Sequence, residues 1–179
     1  MNRMLEAWET LLEQAENGDY DEQQDALFQI GLILERHNPA IEGEPDMYEE
    51  ALSRELLRLT LAPSRQADAI NDLLKWAIQD AAAADACLYA VSRAEVGLVI
   101  EPLLQFIQRQ GPKMNDEVAY QTVVALDTCL RQGLDAVKQA LAKYDPTAQL
   151  DEWQDADDDL LADKALFALR RVNHLLGQA

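Results

Sequence analysis

The run Asp155-Ala156-Asp157-Asp158-Asp159 is a dense set of potential ligands in the chain. Alternating carboxylates can wrap a hard cation such as calcium. An EF-hand loop beginning at Asp155 needs glycine at its sixth position and a chelating glutamate at its twelfth. The chain has Leu160 and Leu166 there, so the run reads as an acidic loop that caps a helix. Asn17-Gly18-Asp19-Tyr20-Asp21 fails the same test, with Phe28 where a carboxylate belongs. His37 and His174 are the two histidines. Neither has an acidic neighbour at the spacing of a metal motif, and both stand where a helix should end, a place that suits positive charge. Glu49 with Glu50, or Asp68 with Asp72, would need matching acids on a facing helix to hold magnesium. No phosphate-cradling glycine loop, nucleophile elbow or Cys–His pairing occurs. The expectation is a non-enzyme with no catalytic, cofactor-binding or metal-ligating residues.

Binding chemistry is better represented. Trp8, Trp76 and Tyr48 are large aromatic groups, and the two tryptophans fall on apolar helical faces that suit a core. Trp153 is different, because it sits within the acidic stretch Asp151 to Asp159. An aromatic ring among carboxylates is a hot spot for a basic partner; alternatively, the indole folds back to anchor its own loop. The candidate partner-binding set is Trp153, Asp155, Asp157, Asp158 and Asp159.

The whole chain frames that choice. Its 179 residues suit one domain spanning 1–179, large enough to need no staple. Fifteen Lys and Arg face thirty-three Asp and Glu, for a net charge of -18. Such a surface repels nucleic-acid phosphates and anionic membranes and steers basic proteins inward. The expected partner is therefore another protein, of basic character, with no nucleic acid and no membrane. Hydrophobic residues make up 49% and aromatics 6%, so the core must be mostly Leu, Ala, Val and Ile. That mix favours helices. Cys87 and Cys129 lie in apolar contexts without a CxxC pair, as buried free thiols of a reducing compartment do. Glu6, Glu9 and Glu13 fall where a secretory leader needs an apolar run, and no stretch approaches a membrane span. The expected location is the cytoplasm.

Apolar residues recur at helical spacing nearly throughout. Met4, Leu5, Trp8, Leu11, Leu12 and Ala15 make one face, closed by Asn17-Gly18. Asp19 or Asp21 opens a second helix that stops before Asn38-Pro39. The short loop between them sets the two antiparallel. After an irregular connector over 38–46, a third helix is expected over 46–61 and a fourth from Pro63. The run Ala81 to Ala84 continues or re-starts helix. Within Val96 to Ile107, Pro102 either begins a helix or kinks a longer one. A strand over Val96 to Ile100 is rejected, because it would have no partner. Asn115 or Asp116 caps the next helix and Gly133 closes it. A short helix follows over 134–144, and the acidic loop then leads into the last helix.

Several helices look alike. Asp25-Ala26-Leu27-Phe28 matches Lys164-Ala165-Leu166-Phe167; Val124-Ala125-Leu126 and, less closely, Asp68-Ala69-Ile70 are further copies. Acidic residues precede several of them by one or two turns. The copies recur about every 40 to 55 residues. On these motifs the chain resembles the HEAT-like helical-repeat family. Asn115-Asp116-Glu117-Val118-Ala119 is similar to that family's second-helix pattern, and Glu101-Pro102-Leu103-Leu104 to its first-helix pattern. The chain departs from it at Ala119, where Arg or Lys is usual, and in the long connectors at 38–46 and 146–159. The resemblance implies an all-α fold: antiparallel helix pairs stacked as a short α-solenoid with one concave face, the alternative being an irregular helical bundle. It also implies a protein-interaction module, such as an adaptor, assembly factor or regulator. The acidic surface keeps open an immunity-type inhibitor of a basic toxin or enzyme.

Overall fold

Local chemistry places most helix ends. The Asp19 carboxylate accepts from the Glu22 N–H at 3.1 Å, and the Glu22 carboxylate accepts from the Asp19 N–H at 3.3 Å. This capping box opens a helix by satisfying two otherwise orphaned donors. Asn115 does the same for Val118 at 2.9 Å, and Asp158 for Leu161 at 2.8 Å. Gly133 and Gly177 adopt φ of 58° and 68° just beyond helix ends, a conformation that costs other residues strain.

The computed structural model describes residues 3–177. Among them the chain forms eleven α-helices and no strand. They are α1 (Arg3–Asn17), α2 (Tyr20–Arg36), α3 (Pro45–Ala51), α4 (Arg54–Leu57), α5 (Pro63–Gln79) and α6 (Ala84–Arg93). Then come α7 (Val96–Gln110), a 3-10 turn (Gly111–Lys113), α8 (Asp116–Arg131), α9 (Asp135–Lys143), α10 (Thr147–Gln154) and α11 (Asp159–Leu176). Pro102 lies inside α7 rather than at its start. Its ring leaves one carbonyl of the preceding turn without a helical partner.

The helices pack in pairs: α1 with α2, α5 with α6, α7 with α8, and α9 and α10 with α11. The second members touch in succession, α2 to α6 to α8 to α11, while α5, α7 and α9 follow one another on the other side. Leu, Ile, Val and Ala between the two rows form one continuous core. Trp8 and Trp76 belong to it, as expected.

Two stretches depart from the sequence expectation. The helix expected over 46–61 breaks at Leu52, which is extended, and Ser53 re-caps it through Leu56 at 3.3 Å. The stretch beyond the break is held from outside the segment. Arg36, at the end of α2, donates to the carbonyls of Leu56 and Leu57 at 3.1 and 2.6 Å. His37 accepts from the Leu61 N–H through Nε2 at 2.9 Å while Nδ1 donates to the Ile33 carbonyl at 2.7 Å. His37 thus ends α2, as expected, and bonds that helix's last turn through one ring nitrogen while docking a neighbouring segment through the other. The second departure is α10, which fills the first half of the connector expected over 146–159 and buries Leu150 and Trp153 against α11.

A buried ionic knot ties this part to α6. Glu35, 2% exposed, pairs with Arg93 and accepts from the Tyr48 hydroxyl at 2.7 Å. Asn38 donates to the carbonyls of Arg93 and Ala94, each at 3.0 Å. Unpaired, any of these groups would carry a desolvation cost.

Candidate partner-binding face

The second members of the pairs share a local pattern that sets their outer face. Each places a buried residue two positions before an aromatic one: Ala26-Leu27-Phe28 in α2, Cys87-Leu88-Tyr89 in α6, Val118-Ala119-Tyr120 in α8 and Ala165-Leu166-Phe167 in α11. The first of each three is buried. Two residues further on, a helix has turned about 200°, so the ring leaves the core. Phe28, Tyr89 and Phe167 are 38%, 45% and 58% exposed, and Tyr120 is half-buried.

The four helices run the same way. Between α2 and α6, Gln24 bonds Ala82, Glu35 pairs with Arg93 and Asn38 bonds Ala94. Rising numbers meet rising numbers. Ala81, just before α6, shares a depression with Asn115 and Val118 at the start of α8, and Asp85 and Tyr89 share the next with Gln121. Tyr120 faces Leu160 and Phe167 across a pocket whose far end holds Asp127 and Arg171. The aromatic rings therefore form a stripe across one face. Asp21, Asp85, Asp116, Glu117 and Asp159 lie at the end where the helices begin; Arg36, Arg93, Arg131 and Arg171 lie toward the end where they finish. The stripe separates a carboxylate edge from an arginine edge.

Packing beneath the stripe is close. A Cβ at Gly31 would stand 3.9 Å from the Tyr89 ring, so the missing side chain lets α6 and its tyrosine settle onto α2. Arg93 stacks over the same ring, 5.3 Å from its centroid.

Two open depressions lie along the stripe. One, about 350 Å³, is bounded by Phe28, Tyr89 and Gln121. The other, about 380 Å³, lies between α8 and α11, with Tyr120, Leu160 and Phe167 at its rim. Leu160 is 66% exposed. Asp127 is buried, and its Oδ2 accepts from Arg131 Nε and Nη2 at 2.9 and 2.7 Å. Its Oδ1 has no hydrogen bond among the described residues; Arg171 stands 3.4 Å away at ion-pair distance without hydrogen-bond geometry.

The residues singled out from sequence separate here. Trp153 is buried, 6% exposed, and lies in α10 rather than in a loop. The hot-spot assignment for its indole is corrected: it anchors its own segment, because apolar area gains more from the core than from solvent. Asp155, Asp157, Asp158 and Asp159 are exposed. Asp158 caps α11, and the others extend the carboxylate edge at that end of the face. The copy expected at Asp68-Ala69-Ile70 lies in α5, in the other row. The row's further member is α6, whose Cys87-Leu88-Tyr89 lacks the Ala and Phe of the copies in α2 and α11. Cys87 and Cys129 are buried free thiols that burial pushes up to about 12. Among the described residues no group of three or more His, Cys, Asp or Glu is placed to hold a metal ion. No helix among them is long and apolar enough to cross a membrane.

Comparison of the chain with protein-family models, with curated proteins and with solved structures returns no match.

Proposed function

We propose that this chain is a non-catalytic, helical-repeat interaction module that binds a partner protein through the face made by α2, α6, α8 and α11. The observation that carries this reading is the three exposed aromatic residues Phe28, Tyr89 and Phe167, with half-buried Tyr120 beside them, between a carboxylate edge and an arginine edge. Contiguous exposed apolar groups rimmed by charge mark interaction surfaces, and Tyr and Arg are enriched where binding energy concentrates. The net charge of -18 steers a basic partner toward the face and disfavours nucleic acid. The buried thiols fit a cytoplasmic home. Adaptor, assembly factor and regulator all use such a surface. The carboxylate edge favours a second reading, an immunity-type inhibitor of a basic toxin or enzyme, which would associate fast and with steep dependence on salt.

The test is a pull-down with three baits: the wild type, a Phe28→Ser/Tyr89→Ser/Phe167→Ser variant, and an Ile78→Ser control. Ile78 is exposed on α5, in the other row. A stoichiometric partner kept by the wild type and the control but lost by the triple variant supports the face. A partner that the triple variant keeps at wild-type level overturns it.

A further inference from the structure

Cations that line the pocket between α8 and α11 have donors to spare. Lys164 makes no ion pair or hydrogen bond among the described residues, and Arg171 has just its loose pairing with Asp127. A guanidinium carries five N–H donors in a fixed fork suited to a carboxylate. Such spare cations stand out in a chain where acids outnumber bases thirty-three to fifteen. Beside them, Leu160 and Phe167 expose apolar surface. Asp127 and Asp163 line the same pocket, so its three cations, Arg131, Lys164 and Arg171, exceed its acids by one, and cationic and apolar surface share about 380 Å³, room for one residue rather than a whole helix.

We propose, resting on the partner-binding reading above, that this pocket receives the C-terminal residue of the partner chain, its apolar side chain between Leu160 and Phe167 and its carboxylate on Arg171 and Lys164. A chain terminus carries both groups on one carbon. An internal Asp or Glu has no apolar branch there. A segment rich in such acids would also be repelled by the carboxylate edge, whereas a terminal carboxylate lets the preceding residues be neutral or basic. Asp127 acts as a positioning residue: it holds Arg131 by two hydrogen bonds and keeps the Arg171 head 3.4 Å away, within the pocket lining.

The experiment passes two random hexapeptide libraries, identical except for a free carboxylate or an amide at the C-terminus, over the immobilised protein. Retained acids should end in Leu, Ile, Phe or Met and bind at least tenfold more tightly than their amides. Lys164→Gln/Arg171→Gln should remove that preference for the acid, and Leu160→Ser should relax the choice of last residue. Equal retention of acids and amides, an unselected last position, no retention of either library, or a double variant that behaves as wild type would each overturn the terminus assignment. A Phe28→Ser/Tyr89→Ser bait in the pull-down, which leaves every residue of the pocket in place, decides the face reading separately.

Discussion

Gly31 of α2 and Ala90 of α6 touch backbone to backbone: a Cβ on the glycine would lie 3.3 Å from the Ala90 Cα and 3.4 Å from its Cβ. Two neighbouring helices of the row approach this closely because neither presents a larger side chain. Gly31→Val should therefore force α6 away and lower stability by about 1 to 3 kcal/mol, the usual cost of overpacking. Urea unfolding followed by circular dichroism checks it. Unchanged stability would mean the row has slack at this point.

Trp153 and the acids beside it should behave oppositely. Trp153→Ala removes a buried indole and should cost about 3 to 5 kcal/mol. Asp155→Asn, Asp157→Asn and Asp159→Asn, all exposed, should leave the melting temperature nearly unchanged and slow association with a basic partner. Stopped-flow binding at two ionic strengths separates rate from stability.

Tyr48 offers a pH readout. Burial, then the hydrogen bond to Glu35 and the charge of Glu35, push its phenol from 10.0 up to about 12. A folded-state value above the unfolded one gives stability that is fully present below pH 10 and is lost as pH rises through 12. Tyr48→Phe should lose about 1 kcal/mol at neutral pH from the missing hydrogen bond. It should then show a shallower decline between those two pH values than the wild type. Parallel decline in both proteins would count against the coupling.

The thiols should be silent. With Cys87 and Cys129 both raised to about 12 by burial, almost no thiolate exists at pH 8. A colorimetric disulfide reagent should label neither in the native protein and both once it is unfolded. Labelling of the native chain would show that the row opens.

His37→Ala should leave the Leu61 N–H without its acceptor. The expected cost is about 1 to 3 kcal/mol, and the sharper readout is faster hydrogen exchange at the Leu61 amide than at amides of α8.

What the sequence made legible follows from how local each cause is. Asp19, Asn115 and Asp158 cap helices through their own next turn, and Gly133 closes one through its own backbone; no distant residue is needed to see them. The break at Leu52 and Ser53 was hidden because Arg36 and His37, some twenty residues earlier, claim the backbone groups beyond it. The helix α10 was hidden because Leu150 and Trp153 alone among its eight residues are buried, too thin an apolar stripe to read against its polar neighbours. The stripe itself was half legible. Phe28 and Phe167 marked two copies, but exposure of an aromatic residue depends on which helices lie beside it, and α6 was not recognised as one of the row.

Arg36, His37 and Asn38 are consecutive, yet each fastens a different segment: Arg36 the carbonyls of Leu56 and Leu57, His37 the amide of Leu61, Asn38 the carbonyls of Arg93 and Ala94. The segment 39–61 is held to the end of α2 by Arg36, by His37 and by the Tyr48–Glu35 bond, and to the core by Leu52, Leu56, Leu59 and Leu61. Fraying the end of α2 and loosening 39–61 are then coupled in one sub-global opening event.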